Sequence, residues 1–253
     1  MIRLALPAYN EEPNITALLR DICLTFEEVL PHRSYEIVVV DDGSTDATVE
    51  RVSDFRQELE GDRFPNASVR LFRHEGNRGL AEAIRTGLMA CADESLDRDI
   101  ILTMDADNSH LPGLIPSMIR KVHEGHDVVI ASRALPGSEL VVRQPWWREM
   151  SGRAFNQLVR PISGLPFHDT QCGFKLFRAE AAERLFAGQA SSGWAFDVEL
   201  LMLAQALGYR VLEHPVRWIN SEASKVNMLR DAPRMLGDIM AFRWRLWRGR
   251  TGA

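Results

Sequence analysis

Asp105 and Asp107 stand one residue apart in Ile-Ile-Leu-Thr-Met-Asp-Ala-Asp-Asn-Ser-His, residues 100–110. Where an extended segment runs into a loop, carboxylates at i and i+2 can converge on one hard cation. Mg2+ or Mn2+ held by one or two carboxylates, with water and substrate phosphate completing the shell, is the usual economy of such sites. The spacing therefore points to a divalent metal that bridges Asp107, together with Asp105, to a nucleotide diphosphate. An acidic loop that merely caps a helix starting near Pro112 is the alternative these few residues leave open.

The segments that must position the pair read as alternating strands and helices. Ile100 to Met104 has the continuous hydrophobicity of a strand buried on both faces. Ile2–Leu6, Glu36–Val40, Val69–Arg73 and Val128–Ala131 read the same way. Between them lie helical patterns, the first carrying Ile15, Leu18, Leu19, Ile22, Phe26 and Val29 on one face. This alternation with short turns predicts an α/β fold, a mostly parallel sheet flanked by helices. Three predicted strand ends are polar: Tyr9-Asn10-Glu11, Asp41-Asp42 and Asp105-Asp107. Right-handed crossovers would bring them to one rim, where open α/β sheets bind ligands. Asp41 and Asp42 also have a plainer reading as turn and helix-cap residues around Gly43-Ser44.

Beyond Ser132-Arg133 the alternation breaks down. Pro145–Pro161 is basic and amphipathic, with Trp146 and Trp147 among Arg143, Arg148, Arg153 and Arg160. Cys172–Phe177 and Tyr209–Trp218 read as strands, Glu180–Phe186 and Phe196–Leu207 as helices. From Val226 to about Trp247 a helix interleaves Met, Leu, Ile and Trp with Arg.

Composition narrows the classes. With 253 residues, 45% hydrophobic and 26% charged, the chain can bury a full core. A net charge of −5 argues against a nucleic-acid partner. Cys23, Cys91 and Cys172 match no zinc or redox spacing, and a reducing, cytoplasmic compartment is the simplest expectation. No signal peptide and no run of ~18 to 20 apolar residues is expected to insert into a bilayer.

Seven motifs occur in order: Pro-Ala-Tyr-Asn-Glu-Glu (7–12), Val-Val-Val-Asp-Asp-Gly-Ser-Thr-Asp (38–46), Asp-Ala-Asp-Asn-Ser-His (105–110), Ala-Ser-Arg (131–133), Asp-Thr-Gln-Cys-Gly-Phe-Lys (169–175), Phe-Asp-Val-Glu-Leu-Leu (196–201) and Ser-Lys-Val (224–226). Together they resemble the inverting family-two glycosyltransferases of GT-A fold, within them the dolichyl- or polyprenyl-phosphate hexosyltransferases. The 169–177 run and the tail from Ser224 resemble the β-glucosyl-transferring members, and Asp-Ala-Asp-Asn-Ser-His the mannosyl-transferring ones.

The resemblance implies a GT-A domain over residues 1–225 and a basic amphipathic C-terminal helix and tail over 226–253. It implies a nucleotide-sugar donor, UDP-glucose before GDP-mannose, and a polyprenyl-phosphate acceptor. The nucleobase and ribose would lie against Pro7, Tyr9, Glu11, Val39, Asp41, Asp105 and Ala106. Asp107 would hold Mg2+ or Mn2+, with Asp105 and, through water, Ser109. Arg133, Lys175 and Lys225 would meet the phosphates. A lipid phosphate is already ionised and needs no base; a neutral hydroxyl acceptor would need one, with Asp169 or Asp197 as candidates.

Many such relatives carry transmembrane helices. Without one, the chain would work peripherally at a cytoplasmic membrane face, through an anchored partner, or on a soluble acceptor. The basic amphipathic segments suit the first option, although a Met/Leu stripe that packs on the domain is the plainer reading. A same-fold transferase with a soluble hydroxyl acceptor and a non-catalytic nucleotide-sugar-binding protein are the alternatives.

Overall fold

The computed structural model describes residues 1–59, 63–93, 99–142, 146–188, 193–219 and 228–249. In chain order the first half comprises β1 (Ile2–Ala8), α1 (Ile15–Val29), β2 (Tyr35–Asp41), α2 (Thr48–Glu58), β3 (Ala67–Arg73), α3 (Leu80–Ala92), β4 (Ile100–Thr103), a 3-10 turn at Pro112–Leu114, α4 (Ile115–His123) and β5 (Val128–Ser132). The second half comprises β6 (Glu139–Val142), α5 (Trp146–Ser163), β7 (Lys175–Arg178), α6 (Ala179–Ala187), α7 (Phe196–Ala206), β8 (Val211–Pro215), β9 (Arg217–Ile219) and α8 (Met228–Trp247).

Seven of the described strands form one sheet in the order β3-β2-β1-β4-β7-β5-β8. All neighbours are parallel except β7, which is antiparallel to both β4 and β5. All seven residues of β1 and of β2 are buried, as a strand covered on both faces requires. Alternate residues feed opposite layers. Leu4, Leu6, Ile37 and Val39 join α1 and α4 in one core, whereas Ala5, Val38 and Val40 join α3 and the C-terminal helices in the other.

At the strand starts, Arg70, Glu36, Arg3 and Asp99 alternate in sign across β3, β2, β1 and the entry to β4.

Two expectations change. The Cys172–Phe177 strand begins only at Lys175 and runs against its neighbours. The Tyr209–Trp218 strand divides at Val216 into β8, in the main sheet, and β9, which pairs with β6 in a separate ribbon.

Helix α8 buries Met235, Ile239 and Phe242 in the second core, against α5 and α7. The helix expected as a distinct C-terminal element therefore shares the core of the domain before it. Arg243 fastens it, donating to the carbonyls of Pro161 and Ile162 at 2.8 and 2.6 Å. Another face of α8 remains outside, with Met240 and Trp244 half exposed and Trp247 at 82%. Among the described residues no helix is long and apolar enough to cross a membrane.

Candidate active site

Parallel pairing puts the ends of β1, β2 and β4 on one edge, with Ala8 opposite Asp41 and Ala5 opposite Thr103. The tips expected to gather do so. Asn108 Nδ2 lies 3.4 Å from Asn14 Oδ1, linking the acidic loop to the loop after β1. Asn10 donates its backbone N–H to Ser44 Oγ (2.9 Å) and accepts from Thr45 N (2.9 Å), linking the loops after β1 and β2. Asn10 and Asn108 both adopt positive φ, 56° and 58°, a region that asparagine tolerates better than most residues.

Because β7 is antiparallel, its beginning arrives at this same edge, and Lys175 pairs with Thr103 on one side and Ile130 on the other. The preceding turn meets the acidic pair directly. A Cβ at Gly173 would lie 2.4 and 2.5 Å from the Asp105 carboxylate oxygens, so only glycine leaves that carboxylate its place. Asp105 is 28% exposed, and burial together with Asp107 and Asp197 pushes its carboxyl up to about 7 against the opposing pull of Lys175 and Arg133. Asp107 accepts Ser109 N–H on Oδ1 at 3.0 Å.

Arg133 and Lys175 are each neutralised from within. Asp169 takes the Arg133 Nε and Nη2 donors at 2.7 and 2.9 Å and its backbone N–H at 3.0 Å. Burial alone would raise the Asp169 carboxyl, but the guanidinium outweighs it and holds the group below the usual carboxylate range. The Arg133 side chain stays 33% exposed and stacks over Trp218 at 5.6 Å. Lys175 is 1% exposed, and its ammonium is spent on Cys172 O (2.5 Å) and Asp197 Oδ1 (2.6 Å). Lys175 is thus a buried strut between the turn and α7, not the exposed phosphate cation expected. Asp169, ion-paired and poorly basic, is likewise unsuited as a general base. Asp197 is paired but keeps 20% of its side chain exposed.

The remaining expected residues divide. Tyr9 and Glu11 are half-buried at the β1 tip, where Asn14 Nδ2 donates to Glu11 Oε2 at 2.8 Å. Pro7, Val39 and Ala106 are buried, the last two in the core beside α1 and α4, which leaves their backbones as the parts a nucleotide could meet. Asp41 is wholly buried and accepts from Ser44 N at 3.2 Å, with Arg73 Nε at 3.3 Å. The turn role considered for both carboxylates belongs to Asp41. Asp42 instead clamps the loop after β3, accepting from Arg78 N, Gly79 N and His74 Nδ1, each at 2.8 Å. Ser109 is buried; its backbone N–H goes to Asp107 Oδ1 and its hydroxyl lies 3.0 Å from His110 Nδ1. Lys225, with the Ser224–Val226 motif, lies outside the described residues, as does Arg143.

His110 was not singled out from the sequence, yet it ties three segments together. Its Nε2 lies 3.1 Å from Cys172 Sγ, its ring packs edge-on to Phe174 at 5.6 Å, and its backbone bridges Trp218 in β9. Burial and then Arg133 push the imidazole down to about 4, so it is neutral near pH 7. Burial also pushes the Cys172 thiol up to about 12, which makes it inert.

A cation would have to suit this donor set. Among the described residues no three or more His, Cys, Asp or Glu side chains gather as a metal cage. With all four carboxylates ionised, Asp105, Asp107, Asp169 and Asp197 set against Arg133 and Lys175 leave a formal −2, four negative charges less two positive, an excess that Asp105 relieves by holding a proton up to about pH 7. Excess negative charge with two carboxylates at its open side fits a divalent ion that takes most of its ligands from phosphate and water.

Residues 4–186 match the model of glycosyl transferase family 2. A dolichyl-phosphate β-glucosyltransferase of Dictyostelium discoideum is 31% identical over 247 residues, covering 94% of this chain and 72% of that protein. The enzyme of the same description from Homo sapiens is 32% identical over 239 residues, covering 89% and 69%. Among solved structures, glucosyl-3-phosphoglycerate synthase of Mycobacterium tuberculosis in complex with Mg2+ and UDP is similar in fold, with a TM-score of 0.61 at 21% identity over all of this chain and 79% of that one. The chain is a glycosyltransferase of GT-A architecture and belongs to glycosyl transferase family 2.

Proposed function

We propose that the protein moves a hexose from a nucleotide sugar, UDP-glucose before GDP-mannose, to a polyprenyl or dolichyl phosphate with inversion at the sugar. The observation that carries this reading is the formal −2 cluster at the shared strand edge, open at Asp105 and Asp107. The names of the two relatives supply the acceptor and sugar class. Asp107 with Asp105 would hold Mg2+ or Mn2+, which when bound neutralises charge on the departing diphosphate.

The chain's own residues then have separable tasks. Arg133 is held by Asp169 on its Nε and Nη2 edge, and its partial exposure suits it to present the rest of the guanidinium to a phosphate. Lys175 and Asp197 brace the turn that gives Asp105 its room. No side chain need remove a proton, because a lipid phosphate arrives ionised; this agrees with the ion-paired state of Asp169. Lys225 remains our candidate for a second phosphate cation, and Tyr9, Glu11 and Asp41 for the nucleoside end.

Delivery of a lipid acceptor would use the outer face of α8. Met240, Trp244 and Trp247 recur at spacings of four and three, on one stripe of the helix. Arg248 lies over Trp244 at 3.6 Å and adds a cation to the stripe. Tryptophan with arginine suits an anionic headgroup region, so we place the protein peripherally at a cytoplasmic membrane face, alone or with an anchored partner.

Calorimetric titration with UDP, GDP and their hexose conjugates, with and without Mn2+, tests the reading. One nucleotide should bind at least tenfold tighter with metal, and Asp107→Ala should abolish that gain without lowering the melting temperature. Retained metal-dependent affinity in the variant would remove Asp107 from the site.

A further inference from the structure

The loop that carries Asp169 is itself held, by a residue no motif includes. Glu213 lies on β8, parallel to β5 and two pairs before its end, with Ile130 opposite. Its Oε1 accepts the backbone N–H groups of both His168 (2.8 Å) and Asp169 (2.9 Å), and its Oε2 lies 2.9 Å from His168 Nδ1. The Glu213 side chain is only 10% exposed, while its His168 partner is half exposed, so the bond to Asp169 N is the better shielded of the three. One oxygen shared by two consecutive amides fixes the peptide plane between residues 168 and 169. That plane sets where the Asp169 side chain leaves the backbone.

The constraint continues inward. Asp169 fixes the Arg133 guanidinium through two parallel donors and fixes the Arg133 backbone through a third bond. Trp218 closes one face of the guanidinium. A planar cation so held has a single orientation in the cleft, and a carboxylate–arginine fork gains its specificity from that geometry.

We infer that Glu213 is a positioning residue for sugar transfer. It acts through the 168–169 peptide and Asp169 to set the direction in which Arg133 meets substrate phosphate. This rests on the reading of Arg133 as a phosphate-binding cation. The chemistry also explains what is needed at 213: a side chain that places one carbonyl-type oxygen where two N–H donors converge, with a second polar atom beside the His168 imidazole.

The test is a double-mutant cycle on the full chain, with steady-state transfer and melting temperature measured for each variant. Glu213→Gln, which keeps one carbonyl oxygen for the two amides, should transfer within about threefold of the parent. Glu213→Ala should lower kcat/KM by about ten- to a hundredfold, the scale of a loss of orientation near 1 Å. In an Arg133→Ala background the same Glu213→Ala change should cost less than about threefold, because the group it positions is gone. Undiminished loss in that background would overturn the inference and make Glu213 a general structural prop. Transfer within threefold of the parent for Glu213→Ala alone would also overturn it. If Glu213→Ala does not fold, Glu213→Asp withdraws the charge by one methylene and should show the same Arg133-dependent loss. Arg133→Ala with unchanged transfer and unchanged UDP affinity would instead sink the underlying reading of Arg133, and the inference with it.

Discussion

Replacing Gly173 with alanine should damage transfer through one displaced carboxylate. The added Cβ would stand 2.4 Å from one Asp105 oxygen and 2.5 Å from the other, where ordinary contact begins near 3.4 Å. The carboxylate must therefore retreat by about 1.0 Å, the difference between 3.4 and 2.4 Å, or the turn must shift by as much. The turn cannot give easily, since the Cys172 carbonyl is held by Lys175 and the Cys172 thiol by His110. A misplacement of 1 Å in a reacting constellation costs about a hundredfold in rate, or ~2.7 kcal/mol of activation free energy. Overpacking itself should cost about 1–3 kcal/mol of stability. Initial rates of hexose transfer should thus fall about a hundredfold, with weaker metal-dependent UDP binding by calorimetry. Gly113→Ala is the control, because a Cβ at Gly113 meets nothing within 4 Å and its backbone needs no positive φ. Gly173→Ala with rates within threefold of the parent and unchanged metal-dependent affinity would refute the steric argument.

Two other perturbations separate tasks that the fold has placed side by side. Serine at both Trp244 and Trp247 should lower co-sedimentation with anionic vesicles while leaving the melting temperature within about 1 °C, whereas Ile239→Ala, in the core, should cost about 2–5 kcal/mol of stability; equal vesicle binding by the tryptophan variant would return the outer stripe to an ordinary surface. Without metal, the raised Asp105 carboxyl should make stability fall as pH rises from about 4 to about 7, since the native state keeps a proton the unfolded chain releases. His110 slopes the opposite way below about 6.5, so the measurement is the difference between parent and Asp105→Asn melting curves; a difference that does not vary with pH would contradict the environment described for Asp105.

The edge where the chemistry gathers was legible because hydrophobic runs ending in Tyr9, Asp41 and Asp105 say both that a strand is buried and where it stops. Direction was not legible. A run such as Lys175–Arg178 has the same composition whichever way it lies, so the antiparallel insertion of β7 had no signature. Nor does a sequence disclose which charge meets which. Arg133 and Lys175 stood inside motifs and read as ligands for phosphate, but so did Asp169 and Asp197, and the four pair with one another. The division of labour between Asp41 and Asp42 turned on which loop folds back on which carboxylate, a tertiary matter. Gly173 carried a signal that could have been read, a glycine inside the run expected as a strand, where close approach of another group is a common reason for one. Glu213 carried none, since a lone carboxylate in an apolar strand shows its purpose only when the amides of residues 168 and 169 arrive.

The reversal of β7 is what allows one edge to hold both halves of the chemistry. In a purely parallel sheet, each strand contributes its end to the binding edge and its beginning to the opposite one. A parallel strand in place of β7 would deliver Arg178 to the cleft and carry Gly173 and Lys175 to the far side. Running backwards, β7 brings its first residue between Thr103 and Ile130, so that the turn before it closes over Asp105 and its ammonium reaches Asp197 on α7. The acidic pair and the paired cations thus depend on one inserted strand. It follows that weakening the Lys175–Asp197 strut should disturb metal-dependent nucleotide binding, though neither residue is expected to touch the nucleotide, because the turn it braces sets the space that Asp105 occupies.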